Sequence, residues 1–351
     1  MKRIPYSDDE LKIVGEYIST MAPVPKYNTP VTPKENIAAW VKGEKPLWIP
    51  TTDDIMFITP RVIVDNIARG FAFENMPPLK PEECGGPDMF GTQWVFVEQV
   101  GGSMVRPGNP RLLDANDWKE VITLPDPDTF DWESSAKLNA PLKDSGRSFQ
   151  AMLLNGLFER LISFMDFEGA VMALIDDDQK DAVHDLFSHL ADIHIKIIDK
   201  HIEYYGIDGV TMHDDWGSQR APFFSLATAE EMLVPYVRRI ADHCHEKGLW
   251  FQQHSCGKNE MLVPAYIDAH VDIWNGQPMN DKYMLYDKYG DQILLGIDLP
   301  DMTDASDEEV DKFAREFAEK FKKGNVIINT RGARRDLLDA IYKYGRIALN
   351  Q

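Results

Sequence analysis

The chain has 351 residues and a formal net charge of -20, from 57 acidic and 37 basic side chains, which argues against a general surface for nucleic acids or anionic membranes. Three scattered cysteines are too few for a disulfide framework, and no apolar run approaches the roughly 18 residues of a membrane span. The N-terminus lacks an apolar signal segment, so we expect a cytoplasmic protein.

Residues 1–45 are predicted to form a helical extension. Ser7 precedes an acidic turn, Asp8 to Glu10, and spaced apolar residues follow, which is typical of a packing helix. After a proline-rich linker, Thr32-Pro33-Lys34-Glu35 predicts the start of a second, short helix that reaches Val41.

Residues 46–351 are predicted to alternate between strands and helices. The strand candidates lie at residues 45–50, 94–100, 148–154, 207–212, within 248–257, and at 271–274, 292–297 and 325–328. The longer helical patterns cover residues 158–174, 176–205 and 234–247. Alternation of this kind indicates βαβ units and a parallel sheet, so we expect one (β/α)8 TIM barrel domain. The proline- and glycine-rich loop 75–91 is a candidate lid.

The strand within 248–257 ends in a candidate metal site. His254 and Cys256 are two residues apart, so on an extended chain both side chains point to one face and can bind one ion. By itself this pair is more often a core histidine and a buried thiol, because two ligands do not make a site.

Other strands also end in polar residues. Residues 207–212 lead to His213 and 292–297 lead to Asp298, while 271–274 and 325–328 lead to Asn275 and Thr330. In a parallel barrel the carboxyl ends of all strands open on one face, so we expect these residues to surround one mouth with His254.

A different set of histidines lies on the helix predicted at 176–205. His184, His189, His194 and His201 follow one another at spacings of five, five and seven residues. These spacings give no i, i+4 pair for a metal, so a solvated helix face is the better explanation.

Six segments together resemble the uroporphyrinogen decarboxylase superfamily. They are Lys45-Pro-Leu-Trp-Ile-Pro50, Asp88-Met-Phe-Gly-Thr-Gln-Trp94, Leu124-Pro-Asp-Pro-Asp128, His213-Asp-Asp-Trp-Gly-Ser-Gln219, His254-Ser-Cys-Gly257 and Asn275-Gly-Gln277. The resemblance implies a one-domain (β/α)8 barrel with one of two chemistries. These are cofactor-free porphyrinogen decarboxylation and zinc-dependent methyl transfer to or from a corrinoid protein.

The decarboxylase branch fits the sequence poorly. Its pattern has an arginine-rich segment after the first strand, for a substrate with eight carboxylates, whereas Thr51-Thr52-Asp53-Asp54 stands there in this chain. Two carboxylates would repel such a substrate. In the methyltransferase branch, by contrast, the resemblance makes His254 and Cys256 zinc ligands.

The third zinc ligand departs from the family pattern. The coenzyme-methylating members of that branch take a cysteine from the last strand, where Asn329-Thr330-Arg331-Gly332 stands here. Asp298 is the candidate we place with His254 and Cys256. The alternatives are Glu98, Asp215, His213 and Cys84.

We therefore expect a zinc-dependent methyltransferase that demethylates a methoxylated aromatic substrate and passes the methyl group to a corrinoid protein, which is a separate chain. Asp215, Gln219 and Gln277 are expected to orient the substrate or the metal. An apolar substrate pocket and an ordinary core are equally good explanations for Met212, Trp216, Phe223, Phe224 and Trp274.

Two alternatives stay open, a decarboxylase and a barrel that binds a ligand without catalysis. The sequence leaves the methyl donor, the direction of transfer and homo-oligomerisation undetermined.

Overall fold

A computed structural model describes residues 2–350, and helices and strands alternate along much of this part of the chain. The strands are β1 (Ile13–Tyr17), β2 (Val24–Tyr27), β3 (Ile55–Ile58), β4 (Gly86–Pro87), β5 (Gln93–Val97), β6 (Gly102–Val105), β7 (Ser148–Leu153), β8 (Gly209–His213), β9 (Trp250–Ser255), β10 (Ile273–Gly276), β11 (Leu294–Asp298) and β12 (Val326–Asn329). The helices are α1 (Pro33–Val41), α2 (Val64–Arg69), α3 (Trp118–Val121), α4 (Trp132–Asn139), α5 (Leu157–Ala173), α6 (Lys180–Tyr205), α7 (Leu226–Met232), α8 (Val234–Glu246), α9 (Val263–Asp268), α10 (Lys282–Tyr289), α11 (Asp307–Lys320) and α12 (Arg335–Leu349).

The chain forms two compact units. One contains the residues up to Met56, Asp144–Phe149 and the residues from Asp281 onward; the other contains Phe57–Lys143 and Gln150–Asn280. We call them the terminal unit and the central unit. Among residues 2–350, no helix is long and apolar enough to cross a membrane.

The central unit contains a sheet of parallel strands. β8 pairs with β7 and with β9, and β9 pairs with β10, all in parallel. The connections contain α5 and α6, then α7 and α8, then α9. The apolar face of α6 is buried as its spacing predicts, since Val183, Leu186, Phe187 and Leu190 are almost inaccessible. The predicted α/β class with parallel strands is confirmed.

The extension differs from the predicted helices. The capping box of Ser7 and Glu10 forms, but its helix is a single 3-10 turn, Asp8–Leu11. β1 follows and pairs antiparallel with β2, because β-branched Ile13 and Val14 favour a strand over a helix. The second predicted helix is confirmed as α1, which Thr32 caps.

The predicted first strand at 45–50 is not a regular strand. Pro46 and Pro50 have no N–H to donate to a ladder, which explains its irregularity. The end of this segment nevertheless pairs with β12 in the terminal unit. The Ile328 N–H donates to Pro50 O at 2.9 Å, and Thr51 forms a parallel bridge with Ile328.

The solvated face predicted for the four histidines of α6 is wrong for two of them. His194 and His201 are buried, and each Nδ1 lies 2.8 Å from the carbonyl oxygen four residues earlier. His201 packs against Trp132 and Tyr205. The other two are partly exposed, as a surface position requires.

Burial lowers the pKa of His201 to about 4, compared with 6.5 for an ordinary histidine. Between these values the unfolded chain binds a proton that the folded chain does not bind, so stability falls as the pH falls from 6.5 to 4. Between pH 6.5 and 4, we expect the free energy of unfolding of His201→Leu to fall by about 1.4 kcal/mol less per pH unit than that of the unmutated protein. Urea unfolding of both proteins across this window measures the difference, and two parallel stability curves would contradict it.

Candidate metal centre

Four side chains at the carboxyl ends of β8 and β9 form a cluster of metal-binding atoms. His213, Asp215, His254 and Cys256 each place one ligand atom within 4.8 Å of the others, and all four are partly buried. We call these residues the four-donor cluster. All four belong to the central unit.

Strand register brings the two histidines together. His213 is paired with His254 across β8 and β9, and Asn275 of β10 is paired with His254 on the other side. The imidazole rings stack with their centroids 5.0 Å apart. Asp215 and Cys256 each follow their histidine by two residues, and the Cys256 N–H donates to Asp215 Oδ1 at 2.6 Å.

The donor set fits zinc. Bonds of 2.0 to 2.3 Å in a tetrahedron place neighbouring donors roughly 3.3 to 3.8 Å apart. His254 Nε2 lies 3.4 Å from Cys256 Sγ, and His213 Nε2 lies 3.7 Å from Asp215 Oδ1. Imidazole nitrogen, thiolate sulfur and carboxylate oxygen are the ligands that zinc takes in proteins.

Burial makes the anionic forms of two of these donors costly while no cation is bound. Burial raises the pKa of the Cys256 thiol, and burial together with the charge of Glu159 raises the pKa of Asp215. Both groups therefore resist becoming anions in this partly dry setting. A divalent cation offsets that penalty and displaces the thiol proton.

Glu159 fixes the orientation of His213. Its Oε2 lies 2.8 Å from His213 Nδ1, which leaves Nε2 facing the cluster. Burial lowers the pKa of His213, but the charge and hydrogen bond of Glu159, together with Cys256 and Asp215, outweigh burial and hold this pKa well above its usual value. A carboxylate behind a histidine is the arrangement that orients zinc-binding imidazoles.

Arg69 holds Glu159 in its ionised form. Its guanidinium donates to Glu159 Oε1 at 3.0 Å and to Asn155 Oδ1 at 2.7 Å, and it lies over the Trp94 ring at 5.0 Å. Burial raises the pKa of Glu159, but the charges of Arg69 and His213 lower it to about 2.

Asp214 places Glu159 by holding the start of α5. Its buried carboxylate accepts hydrogen bonds from the N–H groups of Phe158 and Glu159, at 3.1 and 2.8 Å. These N–H groups have no partner within the helix, and the positive helix end favours a carboxylate. The residue between His213 and Asp215 thus anchors the helix that orients His213.

A glycine permits the loop after Cys256. Gly257 has φ of +90°, and a Cβ there would lie 2.2 Å from Gly217 O. Any other residue would clash with the segment that follows Asp215. Gln277, an expected site residue, accepts the Gly257 N–H at 2.8 Å and so supports this loop.

The remaining predicted residues lie elsewhere or contribute less. Asp298, the third ligand we expected, is not in the four-donor cluster; it lies in the terminal unit, where Lys282 and Asn329 donate to its carboxylate. Gln219 is exposed, and its amide lies 3.4 Å from Gln277 Oε1. Two of the alternative ligands, His213 and Asp215, are in the cluster, whereas Glu98 and Cys84 are not.

The aromatic residues near the strand ends are mostly core. Trp216 and Trp274 are fully buried, and both stack on Tyr266, with centroids 4.6 and 5.9 Å away. Phe224 packs against Phe158. Of the five residues named as a pocket or as core, only Phe223 is more than marginally exposed.

Sequence reasoning missed Glu159, Arg69 and the anchoring role of Asp214. Glu159 carries a usable signal, because it lies in the first turn of the helix after β7, and the end of β7 neighbours that of β8 in a parallel sheet. Arg69 carries no such signal, since it lies 90 residues before Glu159.

Comparison with protein families confirms the predicted resemblance. The family model "Uroporphyrinogen decarboxylase (URO-D)" matches residues 158–331, just under half of the chain, and this segment contains the four-donor cluster. No curated protein sequence matches the chain significantly.

Among solved structures, a methyltransferase from Methanosarcina mazei has the same fold. It aligns with a TM-score of 0.59 at 13% identity, over 92% of this chain and 100% of that chain. A sugar phosphate isomerase/epimerase from Parabacteroides distasonis (11% identity, 63% of this chain and 76% of that one) and a xylanase from Gloeophyllum trabeum (11%, 58% and 69%) reach TM-scores of only 0.32 and 0.33.

The role of Glu159 is testable through metal affinity. Glu159→Gln keeps the size of the side chain but removes the charge that orients His213, so we expect the affinity for zinc to fall about 10- to 100-fold. Competition with a chromophoric chelator measures the affinity. Glu168→Gln makes the same charge change at an exposed position of α5 and should leave it unchanged. Equal affinities of the two variants would contradict the role.

Proposed function

We propose that this protein is a zinc-dependent methyltransferase that removes a methyl group from a methoxylated aromatic compound and passes it to a corrinoid protein. The observation that carries the proposal is the four-donor cluster with Glu159 behind His213. The family match and the fold shared with a methyltransferase support the same class of enzyme.

In this proposal His213, His254 and Cys256 hold the zinc ion. Catalytic zinc sites generally have three protein ligands and one exchangeable position. Asp215 is the donor best suited to leave that position to a substrate, because its Oδ1 already accepts the Cys256 N–H. This revises the expected set of His254, Cys256 and Asp298.

A bound zinc ion would supply Lewis-acid polarisation of the ether oxygen, which a poor leaving group such as an alkoxide requires. In this proposal Asp215 would orient the substrate. Gln277 keeps the loop after Cys256 in place. The side chains of His213 and Asp215 are 18% and 28% exposed, so solvent, and therefore a substrate, reaches the cluster.

The methyl acceptor is proposed to be a reduced corrinoid on a separate protein. An ether methyl group requires a very strong nucleophile, and no side chain of the cluster is one of that strength. The corrinoid must approach the methyl group directly, so its protein should dock where the cluster is exposed.

A porphyrinogen decarboxylase is the weaker alternative. A substrate with many carboxylates requires cationic partners, but at this site Arg69 is already paired with Glu159. The cofactor-free reaction also has no use for a thiol and two histidines around one point.

Metal content tests the ligand set. We expect the purified protein to hold about one equivalent of zinc, and Cys256→Ser and His213→Ala to lose it, because each removes a strong ligand. Cys244→Ser is the matched control, since Cys244 is buried in α8 outside the cluster. Zinc in none of the proteins, or the same content in all, would refute the assignment.

The reaction is tested by the cobalt spectrum. The chain and a methoxylated aromatic compound should give no product, whereas adding a reduced corrinoid protein should yield a phenol and methylated cobalt. His254→Ala should abolish this change. Carbon dioxide release from a porphyrinogen without corrinoid, or methylation that is unaffected in the variant, would favour the decarboxylase.

A further inference from the structure

The terminal unit contains a cavity of about 80 Å³ that the proposed reaction does not use. One water needs about 10 to 15 Å³ of such space, so a ligand of several heavy atoms fits. None of its lining residues belongs to the four-donor cluster. We call it the aromatic cavity.

Aromatic rings form much of its wall. Tyr17, Tyr27, Trp48 and Tyr342 line it, and the rings of Trp48 and Tyr342 lie 5.8 Å apart at 45°. The faces of such rings carry negative charge density and attract cations, most strongly where water is excluded.

Carboxylates add to the negative charge. Asp53, Asp54 and Asp339 line the cavity together with one basic residue, Arg335, so acidic side chains outnumber basic ones by three to one. The excess agrees with the net charge of -20 of the chain. An anionic ligand would face this excess at close range.

Arg335 is already engaged by the protein itself. Its Nε lies 3.3 Å from Asp339 Oδ1, its Nη1 lies 4.0 Å from Asp53 Oδ2, and its guanidinium lies 4.4 Å from the centre of the Tyr27 ring. This single positive charge offsets one of the three negative charges of the lining, so a net negative charge remains and Arg335 does not create an anion site. Its position over Tyr27 also shows that this wall accepts a cation.

The carboxylates already accept hydrogen bonds. Thr330 donates to Asp53 at 2.8 Å, Trp48 donates to Asp54 at 3.1 Å, and Tyr27 donates to Asp339 at 2.9 Å. A primary ammonium group would bring three donors that need acceptors. A fully methylated ammonium group brings charge and apolar surface without donors, which matches this wall better.

We propose that the aromatic cavity binds a small organic cation with a methylated ammonium group. Tyr27, Trp48 and Tyr342 contact the methyl groups. The negative charge of Asp53, Asp54 and Asp339 that Arg335 leaves uncompensated supplies the opposite charge. This binding does not depend on the metal centre or on the proposed methyl transfer.

The test is calorimetric titration of the full chain with choline and with its uncharged analogue of the same shape, 3,3-dimethylbutan-1-ol. We expect choline to bind at least about tenfold more tightly, because only choline carries the charge that the rings and carboxylates attract. Equal binding of the two, no choline binding, or preferential binding of methanesulfonate through Arg335 would overturn the proposal.

Variants assign the binding to the cavity. Asp53→Asn and Asp339→Asn keep an oxygen for the hydrogen bonds but remove charge, and each should weaken choline binding severalfold. Asp291→Asn changes the net charge equally at an exposed pair with Lys323 and should have no effect. Affinity that is unchanged in both cavity variants would place choline elsewhere.

A second pair of variants tests the aromatic ring of Tyr27. Tyr27→Leu should weaken choline binding, whereas Tyr27→Phe keeps the ring and should retain most of it. Circular dichroism verifies that each variant is folded. Zinc content should be unchanged in all of them, so loss of choline binding stays distinguishable from failure of the metal centre. Equal choline affinity of the two Tyr27 variants would contradict a role for the ring.

Discussion

The candidate site depends on the parallel register of β8 and β9. The pairing of His213 with His254 places two imidazoles at one level of the sheet, and the chain then turns so that Asp215 and Cys256 follow them. A shift of either strand by one residue would move its histidine to the opposite face of the sheet. Register is held by the buried apolar residues of both strands, among them Val210, Met212 and Phe251. The packing of the core therefore also determines the geometry of the cluster.

Burial makes the charges around His213 costly, and the structure offsets that cost by pairing. Arg69, Glu159 and His213 form a chain of opposite charges, while Asp214 accepts N–H groups at the start of α5. A buried pair of this kind contributes little net stability compared with apolar residues of similar size. These paired charges lie beside a cluster of metal-binding atoms, which fits a role in orienting His213 better than a role in folding.

The sequence predicts some elements of this fold and fails at others. Period and composition are sufficient for β7 to β12 and for α5, α6 and α8, because those elements are buried and strongly patterned. They fail at the extension, where the signal of the helix cap at Ser7 is local and the following β-branched residues override it. They also fail at 45–50, where two prolines interrupt the ladder and the chain bends at Leu47 and Trp48.

Within the site, two-residue spacing predicted that His254 and Cys256 lie together, because both donors lie at the end of one strand. The sequence offered His213 and Asp215 only as alternatives to Asp298, because the choice of the third donor depends on which strands are neighbours. β8 is hydrogen-bonded directly to β9, whereas Asp298 ends β11. Glu159 and Arg69 lie still further apart in sequence, and only the fold brings them together.

The absence of a cysteine as third ligand is a change in donor chemistry as well as in position. In the proposed set, one thiolate and two neutral imidazoles would leave a divalent ion with a net charge of +1, whereas one histidine and two thiolates would leave it neutral. Imidazole nitrogen is also a harder donor than sulfur and leaves the ion more electrophilic toward oxygen. A set with two cysteines suits the activation of a thiol, whereas His213, His254 and Cys256 suit the polarisation of an oxygen. The donors at the end of β8 thus support the proposed direction of transfer, from an ether to the corrinoid.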